Sequence, residues 1–162
     1  MGVLGLQYER LLVPAPPAPR PDGPTLTYTV DLFPVLLLSL PPGAVAIPPF
    51  NRTSSVQEQG LDTYGVGASP AGLRLTYRIA KRVQPFIAGS TGLAYFVRPV
   101  PSEWGKQLNF MFDVGAGVQV ILTPDFLLTA GYRYHHLSNG FRGRINPGID
   151  ANLFYFGIAV SR

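Results

Sequence analysis

The stretch Asn109–Ile121, NFMFDVGAGVQVI, carries two surfaces in one line of sequence. Phe110, Phe112, Val114, Ala116, Val118 and Val120 fall on one side of an extended chain, and Asn109, Met111, Asp113, Gly115, Gly117 and Gln119 on the other. Successive side chains of a strand point to opposite faces, so this alternation predicts a β-strand with one wholly apolar face. A soluble sandwich turns such a face into its core. An outer-membrane barrel turns it towards lipid and lines its lumen with the polar face.

Working outward, the same period predicts strands at 3–13, 26–40, 61–79, 83–98, 107–122, 125–138 and 150–162. Most exceed the usual five or six residues and reach the roughly nine to eleven that cross a membrane. The connections AKR (80–82) and TPD (123–125) are tight, whereas 41–60, 99–106 and 139–149 are long. Short turns on one side and long loops on the other are the habit of bacterial outer-membrane barrels. The Pro-rich 14–25 connection departs from that habit. Such barrels have even strand numbers, so seven strands suggest an antiparallel eight-stranded barrel whose first strand, with an export signal, lies upstream of Met1. On this reading residues 1–162 form a single transmembrane β-barrel domain. Glu9, Asp31, Arg74, Arg78, Asp113 and Arg133 lie opposite the apolar stripes and are expected in the lumen as an ion-pair network.

Composition agrees. Only 14% of the residues are charged, against about 25% in soluble domains, while 18 glycines and 17 prolines favour turns and short connections over helices. LFPVLLLSLPPGAVAIPPF (32–50) is apolar enough to resemble a membrane helix, but Pro34, Pro41 and Pro42 interrupt it. It reads as a strand entering a loop. Cysteine is absent, which excludes disulfides and thiolate metal sites. The net charge of +4 is scattered without a basic run, which argues against nucleic acid and leaves attraction to anionic lipid open.

Both histidines stand in GYRYHHLSNGFRGRINPGID (131–150). Leu128, Ala130, Tyr132, Tyr134, His136 and Ser138 share a face, rising from apolar through two tyrosines to His-x-Ser. A lipid-facing stripe shows that order as it leaves hydrocarbon for the head groups. The last strand mirrors it through Asp150, Asn152, Phe154, Phe156, Ile158 and Val160. If the two strands form a hairpin, either Ser138 or His136 stands opposite Asp150, and both registers bring the three side chains within about 4.5–8 Å. A serine hydroxyl is a weak nucleophile until an imidazole takes its proton, and a carboxylate fixes the imidazole tautomer. The Asn139 side chain and the Gly140 and Phe141 backbone N–H groups are candidate oxyanion donors. His135 faces the lumen as a partner of internal acids. A zinc site joining His135 and His136 is disfavoured because neighbours on a strand diverge. Residue types alone leave open a non-catalytic cluster of interfacial hydrogen bonds.

YRYHHLSNGFRGRINPGID (132–150) resembles the signature of the lipid A 3-O-deacylase (PagL-like, acyloxyacyl hydrolase) family. The resemblance continues upstream through YTVDLFPVLLLS, YGVGASPAGLRLTYR, VQPFIAGSTGLAYFVRPVP and LNFMFDVGAGVQ, covering most of Thr27 to the C-terminus. It implies an eight-stranded outer-membrane barrel that hydrolyses the 3-position ester-linked acyl chain of lipid A, without cofactor or metal. The family's His, Ser and acid fall on His136, Ser138 and Asp150, and its oxyanion Asn on Asn139. Asp150 replaces the Glu of the best-studied pattern, and Ser138-Asn139-Gly140-Phe141 replaces the usual SNAG. Tyr132, Tyr134, Phe154 and Phe156 are expected to seat the acyl chain, with Arg142 and Arg144 near lipid A phosphates. The implied partners are lipopolysaccharide and membrane lipid, with a homodimer left open. Two rivals are a non-catalytic structural or adhesive barrel and a soluble carrier of lipocalin type with its apolar faces inward.

Overall fold

The computed structural model describes residues 1–12, 23–43, 60–77 and 82–160. They form seven strands and no helix: β1 (Gly2–Leu11), β2 (Thr25–Leu40), β3 (Leu61–Thr76), β4 (Val83–Val100), β5 (Lys106–Ile121), β6 (Phe126–Ser138) and β7 (Ile149–Val160). Each strand pairs antiparallel with the next in chain order, and the sheet curls into a partial barrel with β1 and β7 at its edges. Arg78, most of the AKR turn, most of the 14–25 and 41–60 connections and the ends of three expected strands (Val13, 78–79 and 161–162) lie outside the described residues.

The expected strands are present, with ends shifted by one or two residues where both are described. Two of the prolines within them sit where the ladder is interrupted. Pro34 falls in the register shift between Phe33 and Leu36 of β2, and Pro70 in that between Ala68 and Ala71 of β3. Proline has no N–H to donate, and a bulge is where a missing donor costs least. The β3 bulge also changes parity. Leu61, Thr63, Gly65 and Ser69 are inward before it, and Gly72, Arg74 and Thr76 after it.

The outer face is apolar along every strand. On β5, Phe110, Phe112, Val114 and Val118 are exposed, while Asn109, Met111, Asp113 and Gln119 are buried. Leu32, Leu37, Tyr64, Val66, Leu73, Ile87, Leu93, Phe154 and Phe156 extend the exposed surface across β2, β3, β4 and β7. Monomers in water rarely carry apolar patches beyond a few hundred Å². This orientation contradicts the inward-greased soluble carrier and fits strands facing hydrocarbon.

The interior has two layers. In its middle, Gln7 donates to Asp31 (2.6 Å), Arg74 binds both Gln7 and Glu9, and Arg133 lies 3.7 Å from Asp31 and 4.0 Å from Asp113. This is the expected internal ion-pair network. A cavity of about 10 Å³ beside Gln7, Asp31, Asp113 and Arg133 has room for a single water. The end carrying the long connections departs from a polar lumen. There Phe33, Leu36, Leu38, Leu61, Ala94, Phe96, Val100, Met111, Leu137 and Ile149 pack into one buried cluster. At about 1.5–3 kcal/mol for each large side chain buried, this plug stiffens the strand ends that bear the last hairpin.

Candidate active site

Strand parity positions the site. His136 and Ser138 are the final outward residues of β6, and Asp150 is the first of β7. Of the two registers compatible with the sequence, the hairpin adopts the one with His136 opposite Asp150. On the other side of β6, Phe112 stands opposite His136 and Phe110 opposite Ser138. The polar groups are thus bordered by aromatic rings on the outer surface.

The imidazole Nδ1 lies 2.6 Å from an Asp150 carboxylate oxygen. The pair is accessible: the side chains are 38% and 60% exposed. Asp150 belongs to the rim above the apolar band. An ionised carboxylate on Nδ1 places the N–H there and leaves Nε2 as the basic nitrogen. Gly148 makes room for the ring. A Cβ at that position would lie 2.9 Å from the imidazole Cε1, and its φ of 74° is one that side chains resist.

Ser138 shares the outer face with His136, yet its hydroxyl is engaged by the loop. Oγ accepts from the Gly140 N–H at 3.1 Å and from Asn146 Nδ2 at 2.9 Å, and lies 3.2 Å from Asn146 Oδ1. Among the described residues no hydrogen bond joins Ser138 to His136. Unliganded catalytic hydrogen bonds are often long and tighten only around substrate.

The loop between β6 and β7 is built around Asn139, which is 1% exposed. Its Nδ2 donates to the Ile145 carbonyl at 2.7 Å, and its Oδ1 accepts from the Gly143 N–H at 3.4 Å. The Asn139 carbonyl accepts from the Arg142 backbone N–H and from Arg142 Nε. This amide, expected to face an oxyanion, is therefore turned into the loop, where two backbone groups occupy it. Gly140 directs its N–H at Ser138. Phe141 is 85% exposed with a positive φ of 58°, a conformation rare for bulky residues. The residue missed in sequence reasoning is Asn146. Its only signal was its place in the Asn-Pro-Gly turn that precedes Asp150.

The remaining expected residues spread along the outer wall. Tyr132 stacks on Phe154 with ring centroids 5.5 Å apart and donates to Asn152, while Phe156 is 87% exposed farther down. Arg142 donates to the Leu108 carbonyl and lies over the Phe110 ring at 4.8 Å; Arg144 is exposed. Arg142 also borders an open groove of about 400 Å³ with Tyr95, Lys106, Gln107 and Leu108. His135 is buried inside with its Nδ1 2.8 Å from Asp113, on the opposite face from His136.

A family model described as lipid A 3-O-deacylase (PagL) matches residues 50–159. The chain belongs to this family. No curated protein and no solved structure matches it significantly. The matched span runs from the long connection before β3 almost to the end of β7 and so includes His136, Ser138, Asn146 and Asp150. The PagL family is one of lipid A deacylases, which supports an ester hydrolase at the level of the family.

Proposed function

We propose that this protein is an outer-membrane serine esterase that removes the 3-position ester-linked acyl chain of lipid A from the lipid side of its barrel. The reading is carried by one observation: the exposed His136–Asp150 pair lies on the apolar outer face two residues from Ser138. Tyr132, Tyr134, Phe154 and Phe156 form the wall on which the acyl chain rests, with its ester at head-group height. Arg142, joined by Lys106 across the groove, supplies positive charge for the lipid A phosphates, and Arg144 a further cation in the same loop.

In the reaction, Ser138 Oγ attacks the ester carbonyl carbon while its proton passes to His136 Nε2. The carbonyl electron pair moves onto oxygen, and Asp150 stabilises the imidazolium. As the tetrahedral adduct collapses, the sugar–oxygen bond to the acyl carbon breaks and His136 returns the proton to the leaving hydroxyl. A water then repeats the sequence and frees the fatty acid, restoring Ser138. The polar loop and rim stand at the lipid–water boundary, so water for this second step is at hand.

The test is mass spectrometry of lipid A incubated with the purified full-length chain in detergent micelles. The parent is expected to remove one hydroxyacyl group, and Ser138→Ala to leave lipid A intact. Identical lipid A profiles for parent and variant would point instead to a structural barrel that has kept the fold.

A further inference from the structure

We infer that the Phe141 ring is the platform on which the sugar of lipid A lies while its 3-position ester stands at Ser138. The inference rests on the esterase reading above and adds a side chain that recognises the head of the substrate, apart from its acyl chain.

Asn139, Gly140, Phe141 and Arg142 form a tight turn at the end of β6. The Arg142 backbone N–H donates to the Asn139 carbonyl at 3.3 Å, and both central residues have positive φ, 63° at Gly140 and 58° at Phe141. Positive φ at both positions belongs to a type I′ turn, which favours asparagine and glycine there. Gly140 suits its place. Phe141 does not: a bulky residue in the left-handed region is an outlier, and strain of this kind persists where function requires it. Packing within the protein offsets little of that cost, since Phe141 is 85% exposed. A lone exposed phenylalanine needs no explanation. One that is both strained and bare calls for a contact from outside the chain.

The neighbours of Phe141 say what that contact is. The residue before it, Gly140, sends its N–H to Ser138 Oγ at 3.1 Å. The residue after it, Arg142, borders the open groove with Lys106. Its guanidinium is fixed there, over the Phe110 ring at 4.8 Å and donating to the Leu108 carbonyl at 2.7 Å. Phe141 therefore stands in the chain between the serine that takes the ester and the cation that takes a phosphate. In an acylated, phosphorylated sugar, the group that joins ester to phosphate is the sugar ring. A pyranose presents C–H groups on its flat face, and these pack on the negative face of an aromatic ring. The hydrocarbon chain runs the other way, down the outer wall of β6 and β7 and away from this turn.

Three variants of the full-length chain in micelles, with purified lipid A as substrate, separate the ring's flat face from its bulk and from its backbone strain. Phe141→Tyr keeps the face and is expected to keep the parental KM. Phe141→Leu keeps an apolar, strained side chain without the face, and its KM should rise about tenfold with kcat near parental. Phe141→Gly should raise KM as much, with an unfolding temperature at or above the parent's, because glycine adopts this φ freely. Parental KM in the glycine variant overturns the inference. Parental KM in the leucine variant, or a raised one in the tyrosine variant, overturns it as well, the former making the residue an anchor in hydrocarbon. Loss confined to kcat does the same. If Ser138→Ala is inactive while these KM values stay parental, only the role of Phe141 falls. If Ser138→Ala itself hydrolyses lipid A, the esterase reading falls with it.

Discussion

Two adjacent histidines of β6 make nearly the same contact in opposite surroundings. His135 Nδ1 is 2.8 Å from Asp113, and His136 Nδ1 is 2.6 Å from Asp150. The first pair is 3% exposed at both partners, inside the sheet and close to Arg133. The second is at the rim, open to the outer face and two residues from a hydroxyl. A His–carboxylate pair is thus not by itself a catalytic device. What distinguishes the outer pair is its exposure on the apolar outer face, with a serine two residues along the same face. The inner pair belongs to a network that offsets buried charge, and its remaining polar atoms, His135 Nε2 and Asp113 Oδ2, have no hydrogen-bond partner among the described residues.

Substitutions that separate the two pairs test this contrast. The largest effect is expected from His136→Ala, which should lower kcat/KM for lipid A on the order of 10⁶-fold with little change in unfolding temperature. Equal activity in a folded variant would erase the distinction between the pairs. Asp150→Asn should follow, at roughly 10⁴-fold, because an amide no longer selects the tautomer with Nε2 free. Steady-state rates on micellar lipid A measure both.

His135→Ala is the inner counterpart. It leaves Asp113 without its closest partner, so the expected outcome is a loss of about 3 kcal/mol of stability, with specific activity of the folded fraction near parental. Denaturant unfolding in micelles, with activity per folded molecule, decides it. A large fall in kcat without destabilisation would mean that the inner pair reaches the chemistry. The smallest effect is expected for Asn139→Ala, about 1–3 kcal/mol from unpairing the Ile145 carbonyl. Its diagnostic is faster amide hydrogen exchange confined to the 139–148 loop, and unchanged exchange there would show that Asn139 is not its scaffold.

The sequence by itself determined which way the side chains of β5 and β6 point. Alternation on β5 and β6 separates Asp113 and His135 from Phe112 and His136 because strand geometry is local, and opposite faces follow from the backbone alone. It also set the pairing of β5 with β6, since the three-residue TPD turn leaves them no course but an antiparallel hairpin. Two things required the tertiary structure. The first was the register of the last hairpin: sliding by two residues keeps every side chain on its face, so the pattern of apolar and polar residues cannot distinguish His136 from Ser138 opposite Asp150. The second was the loop. Asn139 and Asn146 offer the same carboxamide, and only the closure of the loop, with Ile145 buried and the Arg144 N–H bound to Trp104, turns one inward and brings the other to Ser138. Such choices depend on hydrogen bonds between residues distant along the chain or across a folded loop, where a linear pattern carries no signal.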